Sequence, residues 1–250
     1  MSNLLTIFGA ICFLGVANSL QFPRNPDQTR WAEKTCLKES WAPPNLINKW
    51  KQLEFPSTNL TYCYVKCFVM YLGVYNETTK KFNVDGIRSQ FTSQGLRPPN
   101  GLESLQKTSK GTCKDVFRMS AGLIKKYKLE FVKAFHGDSA EAAKWYIEHK
   151  GNVKAKYQKA SEFCKTQKDE CRLHCRFYYY RLVDEDFQIF NRKFKIYGIS
   201  DSQLRQCRSK ASQAKGCKVA KVLKNCLDKI DSEKVKTALK TLDEISANYV

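Results

Sequence analysis

The sequence predicts an all-α chain built as two tandem, disulfide-linked helical domains, and three observations carry that expectation. Apolar residues recur at helical spacing along most of the chain, and no run alternates as a strand would. A Cys-x-x-x-Cys pair occurs once in each half, at Cys63/Cys67 and at Cys171/Cys175. The apolar run Leu4–Val16, followed by Ala17 and Ser19, reads as a secretory signal over residues 1–19. Removing it takes Cys12 away and leaves ten cysteines in an oxidising compartment, an even number that predicts five disulfides.

Taken in order, Pro23, Pro26, Pro43, Pro44 and Pro56 cut the opening segment into short helices. One carries Trp31 and Cys36, the next Leu46, Ile47 and Trp50. Tyr62 to Leu72 is apolar almost all round, the pattern of a buried helix. Cys63 and Cys67, four apart, share one face of it and cannot easily bond each other. Each must reach a different neighbour, and Cys36 upstream and Cys113 downstream are available. Phe82, Val84, Ile87 and Phe91 mark a short amphipathic helix, and Arg97–Gly101 a turn. From Cys113 to Phe135 the spacing predicts one long helix, ended by His136-Gly137. Asp138 with Glu141 predicts a capped start for a helix carrying Trp145 and Tyr146. A further helix, with Val153, Tyr157 and Phe163, leads to Cys164. Ser200 with Gln203 forms a capping box for the helix to Cys207. Val235, Ala238, Leu239, Leu242 and Ile245 form a closing amphipathic helix. The repeated cysteine pair reads as a diverged duplication, with domains at 20–151 and 152–250 packed together without a Gly/Ser-rich linker.

The formal charge is +19, from 43 Lys and Arg against 24 Asp and Glu, spread over both halves. Such a balance favours acidic partners: anionic lipids or metabolites, sulfated polysaccharides, or nucleic acid. Nucleic acid is set aside, because no finger, recognition helix or aromatic sheet motif accompanies the charge. No stretch after the signal is long and apolar enough for stable membrane insertion. Asn59-Leu60-Thr61 and Asn76-Glu77-Thr78 are glycosylation sequons at Asn59 and Asn76. An enzyme is excluded on inventory. Only three histidines exist, and paired cysteines leave no thiolate nucleophile. Cys171, His174 and Cys175 lack both a fourth ligand and the usual two-residue spacing of a zinc site. Asp184-Glu185-Asp186 diverge from one another as a solvated turn. The chain therefore predicts no catalytic residue, no metal and no cofactor.

What remains is a pocket. The first half concentrates aromatic residues, among them Trp50, Phe68, Tyr71, Phe117, Phe135 and Trp145. A disulfide-rigid helical domain so furnished can hold a long apolar acid, its chain lying on rings at about 25 cal/mol per Å² buried. A Lys or Arg at the mouth would hold the carboxylate by a charge-assisted bond.

The spacing Cys36-x26-Cys63-x3-Cys67 resembles the opening of insect odorant-binding proteins, and Cys207-x9-Cys217-x8-Cys226 their close. The whole chain is similar to the long-form "D-seven" salivary proteins of blood-feeding flies, two such domains in tandem. The matching stretches are Asn48–Lys51, Cys63–Cys67, Leu72–Tyr75 with Lys81-Phe82, Cys113–Phe117, Phe135–Gly137 and Ser161–Cys164. The resemblance implies disulfides Cys36–Cys67, Cys63–Cys113, Cys164–Cys175, Cys171–Cys217 and Cys207–Cys226. It implies secretion in saliva and capture of host leukotrienes or thromboxane analogues by the first domain. Trp50 would occupy the family's pocket tryptophan position and Phe68 a pocket-lining one, with Lys156 or Lys159 as the basic residue that meets the lipid. Relatives bind biogenic amines through acidic residues after the last cysteine; this chain reads Lys234-Val235-Lys236-Thr237-Ala238 there, so amine binding is not expected. The alternatives from other classes are a basic protein that binds heparin-like sulfated polysaccharides and blocks coagulation, and a chemosensory carrier of small ligands.

Overall fold

The computed structural model describes residues 22–137, 139–189 and 196–247. The predicted signal segment, Cys12 and the Asp138 cap lie outside them. Helix α1 (Pro26–Ser40) starts where Asn25 accepts from the Gln28 amide while the Gln28 side chain accepts from the Asn25 amide. It stops at Trp41, which turns left-handed at φ 53° before Pro43-Pro44, and α2 (Pro44–Lys51) restarts on the second proline. Thr58 caps α3 (Asn59–Tyr71), the buried helix. Two two-residue strands follow, β1 (Tyr75–Asn76) and β2 (Lys81–Phe82), paired antiparallel as a small hairpin. This hairpin is an addition to the all-helical expectation; it is too short for period-two alternation to show.

Asn83 caps α4 (Val84–Ser93), and Thr112 caps α5 (Cys113–Lys126). The helix expected to run unbroken to Phe135 divides at Tyr127 (φ −114°, ψ 38°), and α6 (Lys128–His136) continues from there. Neither proline nor glycine stands at the break, which is why the periodicity hid it. Helix α7 (Ser139–Glu148) follows. The helix expected around Val153 and Tyr157 is mostly irregular chain: only α8 (Ala160–Phe163) forms, and Tyr157 is an exposed residue at φ 66°. Then come α9 (Arg172–Tyr179), α10 (Asp201–Ala211) on its Ser200/Gln203 capping box, and α11 (Lys218–Ser246). Helix α11 kinks at Asp231, whose carboxylate accepts from the Lys234 amide at 3.0 Å. That contact starts a second helical segment as an N-cap would.

The disulfides join Cys36 to Cys67, Cys63 to Cys113, Cys164 to Cys175, Cys171 to Cys217 and Cys207 to Cys226. Helix α3 is thereby tied to α1 on one side and to α5 on the other. Two apolar cores result, one running from Trp31 to Phe135, the other from Ala160 to Leu239. Helix α1 touches both. Trp31 packs into the first core, while its indole stacks on Tyr178 at 4.9 Å and donates to the Tyr178 carbonyl at 2.8 Å. Arg24 and Gln28 both donate to Glu185. The acidic turn read as merely solvated thus holds the start of α1 through Glu185, and Asp184 turns inward to accept from the Asp186 and Gln188 amides.

Candidate ligand-binding site

Because α3 is apolar almost all round, pinning it by two disulfides leaves its remaining face to α4, α5 and α6. Between them lies an apolar cavity of about 50 Å³. Val65, Phe68, Val69 and Leu72 line it from α3, Ile87 from α4, Leu123 and Ile124 from α5, and Phe131 and Phe135 from α6; Leu53 and Phe55 close it from the loop after α2. Two polar side chains reach the wall, Ser120 and His136. The Ser120 hydroxyl is spent on the Val116 carbonyl at 2.9 Å. His136 is the polar group left to meet a ligand, and burial pushes its imidazole below the ordinary value, with Arg30 lowering it further and Glu33 opposing. It is neutral at the pH of blood.

A file of parallel rings leads to that imidazole. Trp50 stacks on Tyr64 (4.2 Å, 7°), Tyr64 on Phe68 (6.0 Å, 5°) and Phe68 on His136 (6.3 Å, 13°). Trp50 is fully buried, and its indole N–H donates to the Thr61 hydroxyl at 3.1 Å. It stands two rings behind the cavity wall. Tyr64, absent from the sequence-derived set, carries the file; it precedes Phe68 by four residues, and that helical spacing was the available signal. Burial and nearby Glu33 push its phenol up.

The other expected residues lie apart. Tyr71 meets Trp31 edge-on at 5.7 Å, on the side of α3 that faces α1. Phe117 packs on Tyr62 at 4.7 Å. Trp145, on α7, stacks on His149 just beyond the helix end at 4.2 Å. Lys156 is exposed beside the Tyr157 ring, and Lys159 pairs with Glu244 at 2.7 Å. The buried cation of this segment is Lys154, 3 % exposed, which donates to the Ala155 and Gln158 carbonyls and is lowered to about 8 by burial. Asp27 nearby accepts from Tyr146 (3.4 Å) and Tyr179 (3.5 Å). These groups form a polar seam between the halves, and burial raises the Asp27 carboxyl.

A larger crevice, about 580 Å³, opens between the end of α1 and the second segment of α11. Leu182, Ile196, Ala238 and Leu242 supply its apolar wall, and its charges are Lys38, Arg181 and Lys234 against Glu39 and Glu233. Among the described residues no cluster of His, Cys, Asp and Glu has the arrangement of a metal site, and no helix is long and apolar enough to cross a membrane.

Residues 21–120 match the model of the PBP/GOBP family. The long form salivary protein D7LC of Phlebotomus papatasi is 36% identical over 253 residues, which cover 99% of this chain and 99% of that one. The solved D7 protein from Phlebotomus duboscqi superposes with a TM-score of 0.75 at 35% identity, covering 92% of this chain and 100% of that one. An AeD7–leukotriene E4 complex shares the fold, with a TM-score of 0.72 at 18% identity over 92% of each chain. Full-length similarity at this identity, on a helical frame with five disulfides, has one reading: the chain belongs to the long-form D7 salivary proteins, a secreted, odorant-binding-like family of ligand-binding proteins rather than enzymes.

Proposed function

We propose that the protein scavenges host eicosanoids at the bite, taking up the apolar chain of a leukotriene or thromboxane analogue in the cavity between α3, α4, α5 and α6. The observation that carries this reading is the apolar, ring-walled interior of the first half, with one neutral imidazole at its edge. At about 50 Å³ the resting cavity holds no more than a water or two. A drug-sized ligand occupies roughly 300 Å³ or more, so uptake requires Leu53, Phe55 and the α5–α6 side chains to swing aside. Phe68 and Phe135 then flank the chain, and Trp50 and Tyr64 support Phe68 from behind. His136 donates to a hydroxyl or carboxylate of the ligand, with Arg30 as the neighbouring cation; Lys159, committed to Glu244, contributes less.

Amines fit poorly. The crevice beside α11 carries three cations against two carboxylates, and an ammonium placed there lacks a surplus counter-charge. Titration calorimetry with a cysteinyl leukotriene, a thromboxane analogue, serotonin and histamine tests the whole reading. One lipid should bind per chain and neither amine should give heat. Silence with both lipids overturns it.

A further inference from the structure

From the charge distribution of the second half we infer a second binding surface, a cationic hairpin formed by α10 and the first segment of α11, which takes sulfated polysaccharide. Between Ser202 and Leu227 the chain holds seven cations, Arg205, Arg208, Lys210, Lys215, Lys218, Lys221 and Lys224, and no acid. An ordinary solvated face mixes both signs. Here Lys224 pairs with Asp228, while Lys215, Lys218 and Lys221 are exposed.

The fold arrays these charges. On α11, Val219, Ala220, Leu223 and Leu227 are buried against the core, which turns Lys218, Lys221 and Lys229 to the opposite, solvent side at i, i+3 and i+11. That stripe extends over roughly 16 Å at 1.5 Å per residue. Arg205 and Lys210 are exposed on α10, and Lys215 extends the array into the turn, where Gly216 takes φ 57°. The Cys207–Cys226 disulfide joins the two helices, and Cys171–Cys217 anchors the head of α11. These bonds hold the cations together against their mutual repulsion, so little side-chain-bearing backbone has to be ordered on binding.

The same stretch discriminates among polyanions. No Phe, Trp or Tyr occurs from Gly198 to Asn248, so the two helices themselves carry no ring on which a nucleic-acid base could stack. None of the large exposed apolar residues lies between Asp201 and Ile230, so nothing here would enter a lipid headgroup layer. Linear sulfated chains need neither. They need cations on a rigid rod, recognised by charge and spacing.

The test is calorimetry of the full chain with a size-defined heparin oligosaccharide in about 0.15 M salt, where distant charges are screened. The triple variant Lys215→Gln/Lys218→Gln/Lys221→Gln should bind about tenfold or more weakly, as loss of three contacting charges requires. The control Lys114→Gln/Lys125→Gln/Lys133→Gln removes the same charge from the first half and should lose less than about twofold. Retained leukotriene binding in both variants shows that they are folded. Equal losses in the two triples overturn the site in favour of net charge alone. So does an absence of binding by the parent protein, or tighter binding to phosphatidylserine vesicles or single-stranded DNA than to the oligosaccharide.

Discussion

In the first half, α3 is the tied helix, joined through Cys67 to α1 and through Cys63 to α5. In the second, the equivalent pair ties Cys175 to Cys164 and Cys171 to Cys217 at the head of α11. The cysteine frames correspond, but their contents do not. The first frame closes around Phe68, Phe131 and Phe135 and leaves a cavity; the stretch from Ser202 to Leu227 in the second contains no aromatic residue and carries seven cations. In the first half the paired bonds keep an apolar interior from collapsing; in the second, Cys207–Cys226, a bond the first half lacks, joins the two helices that carry the like charges.

The largest expected effect comes from cutting one frame and sparing the other. Cys63→Ser with Cys113→Ser opens a loop with a sequence separation of 50 and, by the chain-entropy argument, costs about 4 kcal/mol. Cys164→Ser with Cys175→Ser, at a separation of 11, costs about 3 kcal/mol by the same argument. Denaturant unfolding of the two double variants measures both. Leukotriene binding should fail with the first pair and survive the second. Loss in both would mean that the halves do not separate as drawn.

Next in size is Phe135→Ala. Phe135 is 6% exposed and lines the cavity, so truncation should destabilise by about 3 kcal/mol. The enlarged cavity no longer has to be opened by displacing that ring, so the destabilised variant should take up bulkier lipids than the parent. Heparin binding at the α10–α11 hairpin should stay as it was. A variant that lost lipid affinity in proportion to stability would show Phe135 to be scaffold only.

How much of this was legible beforehand follows from what periodicity encodes. Helices whose buried faces run several turns, such as α3, α4 and the second segment of α11, announced themselves, as did the capped start of α10. The break at Tyr127 and the kink at Asp231 did not, since neither carries a proline or glycine to mark it; at Asp231 one local hydrogen bond, from the Lys234 amide, starts the next segment. Phe68, expected from the family resemblance, and Phe135, expected from the aromatic load of the first half, both line the cavity. Tyr71 and Phe117 were equally aromatic, but each points to another neighbour from its helix, a matter of rotation that composition does not contain. Lys154 was passed over for Lys156 and Lys159, because burial of a cation in irregular chain depends on the carbonyls it meets there.

The smallest effect separates the halves by pH. His174 sits on α9 against Phe187, ring centroids 4.5 Å apart, with a buried Nδ1 that meets no hydrogen-bond partner. Burial holds its imidazole down to about 4, against about 6.5 for a free histidine. Between those values the unfolded chain takes up a proton that the native state refuses, so this group's stabilising contribution is lost as pH falls through the window. Asp184, raised to about 7 by burial, runs in the opposite direction: its neutral form is the one the fold favours, so it adds stability as pH drops. The wild-type slope alone therefore decides nothing. The difference between His174→Phe and wild type isolates the imidazole, and it should grow in the variant's favour by of order 1–2 kcal/mol from pH 7 to pH 4.5. Urea unfolding at both pH values, read with lipid binding as a reporter of the first half, gives that difference. If it does not change with pH, the ring is solvated in the native state, and the second core is looser around α9 than its burial implies.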